Sequence, residues 1–222
     1  MGKSITIPTA GTQCIGAYVA EPAGEPAGGI VVVQEIFGVN AHIRSVADGF
    51  AAEGYTAIAP AFFDHLESDV ELAYDPQGTA RGRDLAAEVG VERAVTDVAS
   101  AAEAIASAGR IGVVGYCWGG TVAFVAGARL GLPAVSYYGS RNVKFLGEPA
   151  RAPLMFHFGE RDKSIPPEAI ERHRRELPEA EIFSYPQAGH GFNCELRESY
   201  EPESSALALQ RTLGFFGRHL RG

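Results

Sequence analysis

Continuous apolar runs alternate along the chain with amphipathic segments of helical period. The runs lack the polar alternation of half-exposed strands, which indicates strands buried on both faces. They cover 29–35 and 55–60, and further strands are predicted in the stretch after Arg110 and over 134–138, 153–158 and 181–185. The pattern predicts helices over 41–53, over 81–107 with a break near Gly90, after Cys117, over 168–176 and over 204–220. Strands alternating with helices predict a mostly parallel α/β sheet covered on both faces.

The remaining segments predict the edge and loops of one domain covering residues 1–222. Residues 4–8 and 15–20 have the pattern of two short strands joined by a Gly-Thr turn, and 21–29 is a loop rich in proline and glycine. Residues from 61 to about 78 are irregular and acidic, so this segment is a candidate active-site loop.

Residues 115–119, GYCWG, stand between a predicted apolar strand and a predicted apolar helix. This is the pattern of a nucleophile elbow, G-x-S-x-G, with a thiol in place of the hydroxyl. Its glycines let the chain pass close to a strained central residue because they carry no Cβ. Cys117 is therefore predicted at a helix N-terminus, where the helix dipole favours the thiolate. A small buried structural cysteine is the alternative.

An acid and a histidine follow the elbow in the chain order that this arrangement requires. Asp162 comes just after the strand at 153–158, and His190 comes just after the strand at 181–185. The carboxyl ends of parallel strands meet at one sheet edge, so both side chains are predicted beside Cys117. There His190 would transfer protons and Asp162 would orient it. A turn cap at Asp162 and a surface turn at His190 are the alternatives.

Glu35 is a carboxylate at the end of an apolar strand, close to the elbow. A charge buried there is costly without a partner. It indicates either a catalytic role beside the Cys117 thiol or a structural bond to backbone or to an arginine. The backbone N–H groups of Ile36 and Trp118 are predicted to form an oxyanion hole.

Charge and cysteine usage exclude several function classes. The net charge of −8 argues against a nucleic-acid partner, since no basic stripe is present to neutralise phosphates. The cysteines Cys14, Cys117 and Cys194 are too few and too scattered for a disulfide framework. The sequence contains no CxxC pair and no HExxH helix that would indicate a metal site. The histidines other than His190 are predicted to be structural or at the surface; they are His42, His65, His157, His173 and His219. An N-terminus without an apolar h-region and the lack of a transmembrane-length stretch lead us to expect a cytoplasmic protein.

Five segments together resemble the dienelactone hydrolase family, the carboxymethylenebutenolidases. They are 34–40 (QEIFGVN), 115–120 (GYCWGG), 137–139 (YYG), 159–162 (GERD) and 188–192 (AGHGF), and the similarity spans nearly the whole chain. The resemblance implies an α/β-hydrolase fold, a Cys–His–Asp triad, no cofactor and cleavage of dienelactone to maleylacetate. It also implies that Glu35 holds the resting thiol and helps to generate the thiolate once substrate displaces it.

The arginines that bind the substrate carboxylate in this family are matched here only in part. The position soon after the catalytic histidine where the family has an arginine holds Cys194, and Arg197 follows it as the expected replacement. The other arginine falls at Arg81 or Arg83, and solvated surface charges are the alternative for all three. Tyr138 is either a substrate contact or a core tyrosine with a satisfied hydroxyl.

Taken together, the motifs predict a cysteine-dependent hydrolase that cleaves a small lactone or ester through an acyl-thioester. Its expected partner is that small-molecule substrate, with no nucleic acid and no membrane, and the protein is expected to be a monomer or a small homo-oligomer. The alternatives are a carboxylesterase of broader specificity and a non-catalytic, redox-sensing protein with Cys117 as its oxidisable thiol.

Overall fold

An eight-stranded sheet runs through the centre of the computed structural model, which describes residues 2–11 and 13–221. The strand order is β1-β2-β4-β3-β5-β6-β7-β8. The strands are β1 Lys3–Pro8, β2 Cys14–Ala20, β3 Gly29–Val33, β4 Thr56–Pro60, β5 Ile111–Tyr116, β6 Ala134–Tyr137, β7 Leu154–Gly159 and β8 Glu181–Tyr185. β2 pairs antiparallel with β1 and β4, and all later neighbours are parallel. This confirms the predicted mostly parallel α/β architecture.

In the described residues, four helices connect strands and a fifth follows β8: α1 Ala41–Ala52, α2 Pro76–Ala104, α3 Trp118–Leu130, α4 Pro167–Glu176 and α5 Pro202–His219. The side chains of Asn40, Asp75 and Glu201 cap α1, α2 and α5, because each accepts a backbone N–H of the first turn. The expected break in α2 lies at Gly90, whose φ of 72° and ψ of 162° are not helical. Among residues 2–11 and 13–221, no helix is both long enough and apolar enough to cross a bilayer.

Two element boundaries differ from the sequence-based expectation, and both bear on the site. α2 begins at Pro76, well before Arg81, because Asp75 caps it and proline fits the first helical turn. The irregular segment is therefore shorter than expected. β3 ends at Val33, so Glu35 lies beyond the strand, at the carboxyl edge of the sheet where parallel strands present their ligand-binding loops.

The core surrounds the middle of the sheet and one helix. Every residue of β3, β4, β6 and β7 is buried. Residues 118–128 of α3 are also buried, and Phe124 of this helix packs edge-on against Phe156 of β7, with 5.3 Å between ring centroids. Because α3 is enclosed on all sides, the residue at its N-terminus has a rigid support.

Candidate active site

Cys117 occupies a strained turn between the end of β5 and the start of α3. Its φ of 57° and ψ of −115° are unusual for a residue with a Cβ, and such a conformation costs roughly 1–3 kcal/mol. A Cβ on Gly115 would lie 1.9 Å from the carbonyl oxygen of Gly119, and a Cβ on Gly119 would lie 2.3 Å from that of Gln34. The two glycines are required because backbone passes where a side chain would stand.

The structure brings Cys117, His190 and Asp162 into one hydrogen-bonded line. His190 Nε2 lies 3.1 Å from Cys117 Sγ, and His190 Nδ1 lies 2.7 Å from Asp162 Oδ2. The backbone N–H of Ser164 donates to the other Asp162 oxygen at 2.8 Å. Asp162 follows β7 and His190 follows β8, so the sheet edge assembles groups that are distant in the chain.

The charge state of His190 follows from its two neighbours. Burial disfavours the charged ring, but the interactions with the Cys117 and Asp162 side chains outweigh this effect and raise the pKa of His190 to about 10. The imidazole therefore holds its second proton at neutral pH.

Glu35 pairs with Arg197 and Tyr74. Its side chain is 1% exposed; Arg197 Nη1 donates to Oε1 at 3.0 Å, and the Tyr74 hydroxyl donates to Oε2 at 3.2 Å. The Arg197 guanidinium also lies 5.8 Å from the ring centroid of Phe37. Burial lowers the pKa of Arg197, but the Glu35 charge prevails and raises it. An arginine was the structural alternative for Glu35, and Arg197 is found where a contact with the Cys117 thiol was expected. A cation compensates a buried carboxylate directly.

A pocket of about 130 Å³ opens onto the nucleophile. Its walls are Ile36, Phe37, Thr79, Arg83, Ala86, Cys117, Trp118, Ser140, Arg141, Ser164, His190 and Arg197. Trp118 is the first residue of α3, so its backbone N–H has no acceptor within the helix. Both residues predicted for the oxyanion hole, Ile36 and Trp118, thus line the pocket beside the sulfur. A larger groove of about 500 Å³ elsewhere is lined mainly by apolar and glutamate side chains.

The structure separates the candidate arginines. Arg83 and Arg197 line the pocket, whereas Arg81 points to the surface and bonds Glu67 at 2.6 Å with about half of each side chain exposed. Arg141 also lines the pocket, although no motif in the sequence identified it. Its position just after β6 was the available signal, since ligands bind at the carboxyl ends of parallel strands.

Tyr138 lies behind His190 and not in the pocket wall. It is fully buried with a φ of 39°, and its ring centroid is 5.2 Å from that of His190. Burial raises the pKa of its hydroxyl well above the usual value. Its burial is that of a core tyrosine, but its hydroxyl has no hydrogen-bond partner in the part of the chain that the structure describes, so the satisfied hydroxyl expected for a core position is not found. Tyr74, which bonds Glu35 and accepts from Asn40 at 3.0 Å, was also missed because its segment has no periodic pattern.

Known proteins are similar to this chain in both sequence and architecture. Residues 15–220 match the family model described as the dienelactone hydrolase family. The chain is 32% identical to the carboxymethylenebutenolidase of Pseudomonas putida, over 96% of this chain and 95% of that protein. It is 33% identical to a provisionally assigned carboxymethylenebutenolidase of Synechocystis sp., over 98% and 96%. The solved structure of a provisionally assigned dienelactone hydrolase from Klebsiella pneumoniae superposes with a TM-score of 0.87 at 32% identity, covering 99% of each chain.

Proposed function

Because the chain belongs to the dienelactone hydrolase family, whose named members hydrolyse ester bonds on an α/β-hydrolase fold, we propose that it cleaves a small lactone or ester through an acyl-thioester on Cys117. The observation that carries this proposal is the continuous line from Cys117 Sγ through His190 to Asp162, with separations of 3.1 and 2.7 Å. A nucleophile, a base and an orienting acid within hydrogen-bond reach form the arrangement that covalent acyl transfer requires.

The reaction begins with attack of the Cys117 thiolate on the substrate carbonyl carbon. Negative charge develops on the carbonyl oxygen, and we expect it to be stabilised by the backbone N–H groups of Ile36 and Trp118, two residues that line the pocket. Collapse of this intermediate expels the alcohol oxygen, which takes the proton from His190 Nε2 and leaves an acyl-thioester. His190, now neutral, accepts a proton from water as the water attacks the thioester. Release of the carboxylic acid restores the thiolate and the imidazolium.

The pocket favours a small substrate that carries a carboxylate. A volume of about 130 Å³ is small beside the roughly 300–1,000 Å³ of common ligand pockets. Arg83, Arg141 and Arg197 reach its wall from three different parts of the chain. Glu35 already compensates Arg197, so Arg83 and Arg141 are the stronger candidates for a substrate carboxylate, which a guanidinium can bind through two parallel hydrogen bonds.

Trapping the intermediate tests the reaction. Purified protein is mixed with dienelactone or an aryl acetate, quenched in acid and measured by intact-protein mass spectrometry. We expect an acyl adduct on Cys117, and we expect Cys117→Ala to lower kcat by a factor on the order of 10⁴ or more. Cys14→Ser is the matched control, because Cys14 is exposed and outside the pocket. Near wild-type turnover by Cys117→Ala would refute the mechanism.

Matched esters test the substrate class. An aryl acetate is compared with an aryl ester whose acyl chain ends in a carboxylate. We expect Arg83→Gln and Arg141→Gln each to lower kcat/KM about tenfold for the charged ester alone, the loss of one charge-assisted hydrogen bond. Arg81→Gln, two residues from Arg83 but paired with Glu67 at the surface, should change neither. Equal kcat/KM for both esters in every variant would indicate a broader carboxylesterase.

A further inference from the structure

A second cluster of metal-ligating side chains lies behind the pocket wall. Glu35, His42 and Cys194 are all buried, and one ligand atom from each lies within 4.8 Å of the other two. Glu35 follows β3, His42 is in α1 and Cys194 follows β8. No metal was expected from the sequence because these residues share no local motif; only the fold brings them together.

His42 has one ring nitrogen engaged and the other free. Its side chain is 1% exposed, and Nδ1 lies 2.8 Å from Glu195 Oε2. Nε2 is buried and has no hydrogen-bond partner in the part of the chain that the structure describes. A buried polar atom without a partner is unfavourable and calls for an explanation. Metal-binding histidines commonly have this arrangement, with a carboxylate on one ring nitrogen and the ion on the other.

The side chains of Cys194 and Glu35 complete, with His42, a set of ligands that suits one type of metal ion. Cys194 is 0% exposed, and the Tyr74 hydroxyl that donates to Glu35 also contacts the Cys194 thiol. Each Glu35 oxygen can accept more than one bond, so its contacts with Arg197 and Tyr74 leave coordination capacity. A thiolate, an imidazole and a carboxylate are ligands that zinc prefers, whereas magnesium and calcium require mainly oxygen.

We propose that Glu35, His42 and Cys194 form a zinc-binding site, with water in the fourth position. On binding, the Cys194 thiol releases its proton to solvent and the sulfur donates to the ion, as do His42 Nε2 and one Glu35 oxygen. The charges balance locally: the two positive charges of zinc and that of Arg197 are matched by Glu35, the Cys194 thiolate and Glu195. Metal binding is measured directly, so its outcome does not depend on whether the proposed hydrolase activity is found.

Cobalt, a spectroscopic substitute for zinc, tests the site. The full chain is treated with a chelator, desalted and titrated with Co²⁺. We expect one equivalent to bind with thiolate-to-cobalt charge-transfer absorption in the near ultraviolet, and Zn²⁺ to displace it. Cys194→Ser should abolish this absorption. Cys14→Ser and Cys117→Ser should retain it, because neither sulfur belongs to the cluster.

Glu195 offers a variant that leaves the fold undisturbed, since its side chain is 46% exposed. Glu195→Gln should weaken metal affinity about ten- to a hundredfold, the effect typical of losing a carboxylate partner of a ligating histidine. An unchanged affinity would overturn the assignment of His42. Absence of the charge-transfer absorption in the wild type, its retention in Cys194→Ser, or its loss in Cys117→Ser would overturn the site itself.

Discussion

Removal of either charge from the Glu35–Arg197 pair should destabilise the protein, and by unequal amounts. The Glu35 side chain is 1% exposed and that of Arg197 is 22% exposed. Arg197→Gln therefore strands a buried carboxylate, which typically costs about 3–5 kcal/mol. Glu35→Gln leaves a cation that still reaches solvent and lies 5.6 Å from the Tyr74 ring centroid, so we expect a loss of about 1–2 kcal/mol.

Equilibrium urea unfolding measures both losses. The one tryptophan of the chain, Trp118, is buried against Phe62 and Phe63, so its fluorescence reports the folded core. For Arg197→Gln we expect a lower midpoint at an unchanged slope, and a thermal midpoint lowered by about 6–20 °C for a chain of this length. The double variant should be more stable than Arg197→Gln alone, because no charge is then stranded.

Two results would refute this reasoning about the pair. One is a loss below about 1 kcal/mol for Arg197→Gln, the range of an exposed ion pair. The other is a larger loss for Glu35→Gln than for Arg197→Gln, since the asymmetry follows directly from the two exposures.

Three further predictions concern the triad and the elbow. With its pKa raised to about 10, His190 should stabilise the fold fully below its unfolded pKa of about 6.5, and this stabilisation should be lost as pH rises through 10. Asp162→Asn should lower the pKa of His190 measured by NMR, and an unchanged pKa would contradict the coupling of the two side chains. Gly115→Ala should cost more than about 3 kcal/mol by overpacking and strain, whereas Gly217→Ala, with nothing within 4 Å, should be neutral or stabilising in the same unfolding assay. Cys117→Ala and His190→Ala combined should lower kcat little more than either alone, because the two groups act as a unit; additive losses would argue against a joint role.

The sequence was most informative where local pattern and chain order coincide. Asp162 and His190 were located because each follows an apolar strand, and parallel strands bring their following loops to one edge. Cys117 was identified from its glycines at 115 and 119 between a predicted strand and a predicted helix, and in the structure a Cβ on either glycine would meet backbone. These positions depend on backbone geometry, which a short stretch of sequence determines.

Side-chain partners between distant segments were not predictable in the same way. Whether Glu35 would meet a thiol or a guanidinium depended on where Arg197 lies, 3.0 Å away although far along the chain. The free nitrogen of His42 and the bond from Tyr74 to Glu35 likewise depend on packing of α1 and of an irregular segment. Neither the environment of His42 nor the bond from Tyr74 to Glu35 is indicated by a periodic pattern or a motif in the sequence.

The enclosure of α3 bears on how proteins of this architecture can diversify. A Cβ on Gly120 would come within 2.5 Å of the Tyr137 carbonyl oxygen, and one on Gly127 within 2.7 Å of Ala134 Cβ. Mutation along this helix is thus severely restricted. Arg83 and Arg141, in contrast, are exposed residues of α2 and of the loop after β6. Natural variation or laboratory evolution could therefore replace either arginine and change the substrate specificity of the pocket, while the helix that carries Cys117 at its N-terminus remains unchanged.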